Sequence, residues 1–206
     1  MNLGCKKCRR AGEKLLLKGE RCSTPKCALI KKNYPPGQHG SKAQRRLTDY
    51  GIQLNVKQKI KRTYGISEAQ LRNYFKKAKG KSGDTAEQIL AALELRFDNV
   101  IYRSGLADSR AQARQLVNHG FFKINNRKVD IASYAVKPKQ KISIKQNKVK
   151  KVTIAEKLKK LKKEQDIPQW LSFDFKKGVL QVINAPQKQE VKSNLDFQMI
   201  IEYYSR

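Results

Sequence analysis

Acidic residues, histidine, tryptophan and long apolar runs are what this sequence has least of. No stretch of about 18 apolar residues occurs, and the N-terminus lacks the charged-then-apolar pattern of a secretory leader, so neither a spanning helix nor export is expected. The chain reads as soluble and intracellular. It has one tryptophan and two histidines, and no cysteine follows Cys27. A disulfide framework along the whole chain is therefore excluded, and 206 residues suffice for one or two domains with a buried core that needs none. A Gly-rich phosphate loop and a nucleophile paired with a base are also missing, so no enzyme is expected.

What is abundant is positive charge. Only 17 Asp and Glu stand against 46 Lys and Arg, a formal balance of +29 that self-repulsion makes costly unless a polyanion neutralises it. Nucleic acid is the first-choice partner. An anionic membrane is the other candidate, but the helical stretches lack the Trp/Phe/Leu face that surface-lying helices set opposite a basic one. Residues 1–46 hold 13 basic and 2 acidic side chains, whereas residues 169–206 hold 5 and 4. The C-terminal stretch is thus not expected to be a main contact surface.

All four cysteines fall in the first 27 residues, as Cys5-x2-Cys8 and Cys22-x4-Cys27 with 13 residues between the pairs. Such spacing suits four thiolates converging on one Zn²⁺, each short gap forming a turn that aims two sulfurs inward. A structural site of this kind contributes roughly 10 to 16 kcal/mol of apparent binding free energy. A segment whose only apolar cluster is Leu15, Leu16 and Leu17 would need that to fold. Two disulfides fit an intracellular chain poorly, and a redox Cys-x-x-Cys would not require the second pair. An iron–sulfur cluster remains the minor rival. Four thiolates leave no open position for catalysis, and a complete tetrad makes His39 unnecessary as a ligand.

Next comes "YPPGQHGSKAQRR", residues 34–46, where prolines and glycines break regular structure. This loop offers backbone N–H groups, Gln38, His39 and the cations Lys42, Arg45 and Arg46 to phosphates. From 47 to 97 the pattern is helical. Ser67-x-x-Gln70 reads as a capping box ahead of Leu71, Tyr74, Phe75 and Ala78, and Thr85-x-x-Gln88 repeats the signal before Ile89, Leu90, Leu93 and Phe97. The aromatics Tyr74 and Phe75 belong to that apolar stripe and are expected in the core rather than stacked on bases. Ser109 and Gly120 then bracket a helix of about three turns. Its buried face is Ala113, Leu116 and Val117, and Arg110, Arg114 and Asn118 form a row beside it, expected to bind phosphate. "FKINNRKV" alternates toward a hairpin turning at Asn125-Asn126, and Ile142 and Ile144 mark another strand. A helix–turn–helix feeding a small antiparallel sheet is the expected unit. Residues 145–163 carry nine lysines against Glu156 and place Ile154, Leu158 and Leu161 at helical spacing, which predicts an exposed amphipathic helix. "IPQWLSFDF" and "GVLQVI" suggest short strands, with Trp170 a packing anchor.

Together, Cys-x2-Cys…Cys-x4-Cys, "YPPGQHG", "KQKIKRTYGISEAQLRNYF", "LRFDNVIYRSG", "RAQARQLVNHG", "PQWLSFD" and the final "EYYSR" make the chain similar to the small-subunit ribosomal protein four family of bacteria and organelles. The resemblance spans nearly the whole chain. It implies an α+β protein: a zinc-knuckle-like segment and basic loop over 1–46, a helical domain over 47–97 completed by 169–206, and an inserted RNA-binding domain over 98–168 with a helical hairpin, small sheet and Lys-rich helix.

It also implies a structural ribosomal role: binding the five-way junction in the 5′ domain of small-subunit ribosomal RNA, beside neighbouring small-subunit proteins. The family further borders the channel by which mRNA enters and contributes to decoding accuracy. Cys5, Cys8, Cys22 and Cys27 match its zinc ligands. Gln38, His39, Lys42, Arg45 and Arg46 match its RNA-facing loop, and Arg110, Gln112, Arg114, Gln115 and His119 match its recognition helix, Ser109 being counted with them. Arg72 and Arg103 fall in matched motifs, and Lys6, Lys7, Arg9, Arg10, Lys18 and Arg21 are expected to turn the metal-held segment toward RNA. Departures from the family are a short lead-in before Cys5, Asn126 in place of the usual hairpin glycine, and Lys139-Gln140 in place of a Gly-Asp turn.

Two other readings compete. An RNA-modifying enzyme can carry the same small RNA-binding domain, but it needs a catalytic domain, and only about 80 helical and tail residues remain here with no positioned acid or base. A DNA-binding zinc protein is separated by competition, because RNA readers sense 2′-hydroxyls and shape.

Overall fold

The computed structural model describes residues 3–42, 46–145, 158, 167–175, 178–191 and 195–205. Along the chain come α1 (Leu3–Ala11), a 3-10 turn (Gly19–Cys22), α2 (Ala28–Lys31), α3 (Asp49–Tyr64), α4 (Glu68–Lys79), α5 (Thr85–Glu94), α6 (Phe97–Arg103) and α7 (Arg110–Asn118). Strands β1 (Phe122–Ile124), β2 (Arg127–Lys128), β3 (Lys141–Ile144), β4 (Leu171–Asp174) and β5 (Val179–Val182) follow, and then α8 (Gln198–Ser205). They divide between two compact units, residues 1–86 with 194–206, and residues 87–193.

In the first unit, helix ends are written in the sequence. The Thr48 hydroxyl accepts from the Gly51 N–H and starts α3, and Gly65 at φ 63° ends it in the left-handed conformation that costs glycine least. Ser67 and Gln70 form the expected capping box on α4. Leu71, Phe75 and Ala78 turn inward with Ile60, Tyr64 and Ile200, and Tyr74 is half-buried at the edge of the stripe. The cap of α5 lies one residue earlier than Thr85: the Asp84 carboxylate accepts from the Ala86 N–H at 2.9 Å.

In the second unit, a five-stranded antiparallel sheet runs β2-β1-β3-β5-β4. Period-2 burial places Phe122, Ile124, Ile142, Leu180 and Val182 in one core with Phe97, Val100, Ile101, Ala113 and Val117 from α6 and α7. Trp170 packs into that core as a buried anchor. The hairpin turns where expected, Asn125 and Asn126 taking φ 45° and 65°, the positive values that a two-residue turn between right-twisted strands requires.

Two expectations are corrected. The stretch 169–206 does not complete the helical domain as one piece: β5 pairs with β3 and β4 with β5, so Leu171–Asp174 and Val179–Val182 extend the sheet, whereas α8 packs on α3. The alternation of "LSFD" and "VLQV" has the sheet's period of two, and their ladder hydrogen bonds find the open edge of β3. The helical run to Phe97 is also interrupted, because Arg96 leaves the helix to bridge Ala135, and Phe97 opens α6. Of the Lys-rich stretch only Lys145 and Leu158 are described, Leu158 packing half-buried against the core; the helix expected there otherwise lies outside the described residues.

Candidate nucleic-acid interface

Helix α1 carries Cys5 and Cys8 one turn apart, the 3-10 turn ends on Cys22, and Cys27 stands at the N-cap of α2. All four are free thiols, three buried and Cys5 partly so. They line one small cavity of about 20 Å³ with Gly4 and Leu29, room for one water-sized occupant. Burial, reinforced by the charges of the other three cysteines, pushes the Cys8 thiol up. The Lys18 N–H donates to the Cys22 sulfur at 3.3 Å. Among the described residues no three His, Cys, Asp or Glu side chains close to metal-ligating geometry, so the four sulfurs share a cavity without being drawn up into a tetrahedron.

Around this knot Lys6, Lys7, Arg10, Lys18 and Arg21 are exposed. Arg9 is not, and here the sequence expectation is corrected: only 5 % exposed, it donates from Nε to the Tyr34 carbonyl at 2.8 Å and from a terminal nitrogen to the Pro35 carbonyl at 3.1 Å. Its guanidinium also lies 4.7 Å over the Tyr34 ring. Arg9 thus clamps the start of the loop instead of facing a partner. Gly40 closes the other side, since a Cβ there would come within 1.9 Å of the Pro35 carbonyl oxygen. The tip so fixed leaves Gln38, His39, Lys42 and Arg46 exposed; Arg45 lies outside the described residues.

In the second unit the α7 arginines do not form a plain solvated row. Arg114 donates to the Asp98 carboxylate at 2.6 and 2.9 Å, and Arg96 donates to the same group. Arg110 donates from Nε to the Asn99 side-chain oxygen at 2.8 Å and stacks 4.4 Å over Tyr102. Arg103, expected to meet RNA, makes a two-pronged pair with Glu94 at 2.8 Å on each prong, so its fork is committed inside. Asn99 joins the halves by donating to the same Glu94 carboxylate. Ser109 is a buried cap that accepts from the Gln112 N–H, while the Gln112 side chain accepts from the Asp108 N–H. That reciprocal pair fixes the start of α7. Arg114 keeps a third of its side chain exposed, and Gln115 on the same helix and His119 at its C-cap are exposed. The first turn and outer face of α7 therefore combine braced guanidinium groups with free polar tips.

Two family comparisons match successive parts of the chain. Residues 3–94 match the family described as "Ribosomal protein S4/S9 N-terminal domain", and residues 95–142 match the "S4 domain". The protein named small ribosomal subunit protein uS4 of Kosmotoga olearia is 49% identical over 202 residues, covering 98% of this chain and 96% of its own length. The chain belongs to the uS4 family. The uS4 of Thermus thermophilus is 46% identical, and that of Natranaerobius thermophilus 44% identical, each over the same coverage.

Two features of this uS4 chain escaped the sequence reading. In the first unit, Lys57 is buried beside Glu68, Tyr203 and Tyr204. Its ammonium lies 3.0 Å from the Glu68 carboxylate and 4.1 Å from the Tyr203 ring centre. Burial works against that charge, but the Tyr203 phenol and Glu68 outweigh it and hold the Lys57 pKa up. Burial likewise opposes the Glu68 charge, and donation from Lys61, Tyr204 and Lys57 overrides it, pulling the carboxyl down to about 2. The second feature is Arg62 on α3, half-buried among the basic residues of the first unit. The clue to the first was Glu68, an acid that closely follows the four basic residues Lys57, Lys59, Lys61 and Arg62. Nothing in the spacing marked Arg62.

Proposed function

We propose that this chain is a structural component of the small ribosomal subunit that binds small-subunit ribosomal RNA through its exposed cations. The observation that carries the reading is near-complete coverage of chains named small ribosomal subunit protein uS4, at up to 49% identity, in a protein of net charge +29. The role is scaffolding rather than catalysis. Binding proceeds by electrostatic attraction of phosphates followed by recognition of RNA shape. Lys6, Lys7, Lys18 and Arg21 around the cysteine knot, the clamped tip Gln38–Lys42 with Arg46, Arg72 on α4, and Arg110, Arg114, Gln115 and His119 on α7 are the contacts put forward. Arg9 and Arg103 act instead by holding their neighbours.

The finer role in this proposal is docking on the five-way junction of the 5′ domain during assembly. Beside neighbouring ribosomal proteins, the Gln38–Lys42 tip then approaches mRNA where it enters. Purified protein should co-sediment with small subunits, and the folded junction RNA should outcompete a DNA duplex of equal charge. Equal competition at every salt concentration would sink the reading.

A structural Zn²⁺ belongs to the same proposal. Four free thiols lining one small cavity supply the donor set this reading rests on. Cys5, Cys8, Cys22 and Cys27 would hold the ion, which when bound ties α1 to α2 as a cross-link. Metal analysis of protein isolated with its thiols protected should give one zinc per chain, and none would count heavily against it.

A further inference from the structure

Asn99 on α6 is only 1 % exposed and stands between a buried acid and the first residue of α7. Its amide nitrogen donates to the Glu94 backbone carbonyl at 2.9 Å and to the Glu94 carboxylate at 2.7 Å, which commits both amide hydrogens. Glu94, fully buried, is itself fixed by the two-pronged pair with Arg103. The amide therefore faces one way only, because a flip would turn its oxygen onto the Glu94 carboxylate. That oxygen meets α7: it accepts from Arg110 Nε at 2.8 Å, and the guanidinium lies 4.4 Å over the Tyr102 ring.

A long cationic side chain at a helix start ordinarily samples many rotamers, and ordering it on binding costs affinity. Arg110, half-buried, is instead gripped on two sides before any partner arrives. The chemistry at position 99 is specific to that grip. An amide of this size donates twice and accepts once in one plane; aspartate would set a second carboxylate against Glu94, and leucine would fill the volume with no bond to either neighbour. We propose that Asn99 is a positioning residue for RNA recognition, a buried amide that orders the Arg110 guanidinium ahead of contact. Asn99 itself touches no RNA, and its role rests on the function proposed above.

The test is a double-variant cycle on the full chain, which binds a small-subunit ribosomal RNA transcript at one salt concentration and well below the melting temperature of every variant. Asn99→Leu should weaken binding about two- to tenfold, the range for losing the order of one long side chain. In an Arg110→Gln background the same substitution should cost nothing further. Asn99→Ser, smaller and still polar, should follow the same pattern. In the unaltered protein without RNA, nitrogen-15 relaxation should find the Arg110 Nε–H as rigid as ordered backbone, with an order parameter of about 0.85.

Equal losses in both backgrounds, or no loss in either, would make Asn99 a packing residue and overturn the positioning role. So would an Arg110 Nε–H order parameter below about 0.6 in the unaltered protein. Failure of the wider reading looks different: the unaltered protein would then show no preference for the ribosomal transcript over a DNA duplex of equal charge.

Discussion

At the level of single residues, two turn positions carry backbone demands of opposite kinds. Lys139 sits at φ 67°, where its Cβ crowds the following carbonyl at a cost of roughly 1 kcal/mol. Lys139→Gly should therefore raise stability by about 1 kcal/mol, less what glycine gains in the unfolded chain, read as a shift in the urea midpoint at constant slope. Gly40 is the reverse case. Its neighbour within 1.9 Å would be backbone, not a movable side-chain end, so Gly40→Ala must push the loop apart. We expect a loss of roughly 1 to 3 kcal/mol, as for other overpacked sites, with RNA affinity falling alongside because the Gln38–Lys42 tip loses its anchor. Both residues sit in turns the sequence announced. Only the glycine was legible as necessary in kind, and its close partner, Pro35, was not, because a contact within a loop leaves no periodic trace.

Among the elements, α8 depends on the charge state of what it covers. Gln53 donates to Glu202 at 2.9 Å and Tyr204 to Glu68 at 2.8 Å, joining α8 to α3 and α4. Because the Glu68 carboxyl is pulled from 4.5 to about 2 in the folded chain, its contribution is complete above the unfolded value and is lost as pH falls through the folded one. Stability of the unaltered protein should thus decline between about pH 4.5 and 2 more steeply than that of Glu68→Gln, which should start lower at neutral pH; melting curves across that range decide it. The adjacent tyrosines should also part company. Tyr203 is lowered by its hydrogen bond with Tyr50 and by Lys57, whereas Tyr204 is raised by burial and by Glu68. In mildly alkaline tetranitromethane, which attacks phenolate, Tyr203 should be nitrated first, as peptide mass spectrometry would show. Helices with local start and stop signals, α4 and α7 above all, were legible because capping is a matter of a few neighbouring residues. Strands β4 and β5 were legible as strands but not in their place, since β5 pairs with β3 across 36 to 40 positions, as in Ser143 with Val179 and Lys141 with Gln181.

For the whole molecule, not every basic side chain is turned to a partner. Glu94, Asp98, Glu68 and Glu13 each hold one or two cations internally, and Arg9 is spent on loop carbonyls. If about ten phosphates are neutralised, the salt slope should lie between about −7 and −9; a slope of half that magnitude would mean that far fewer are met. The chain's discontinuous first unit has a consequence in time. Its last element, α8, is made only after all of residues 87–193, while the second unit has every strand of its sheet in hand by residue 182. During synthesis, therefore, the second unit can complete its core while the first still waits for Tyr203 and Tyr204 to cover Lys57. An RNA that engages the α7 face early would meet a protein half finished, and the last eight-residue helix would act as the signal that the other half has closed.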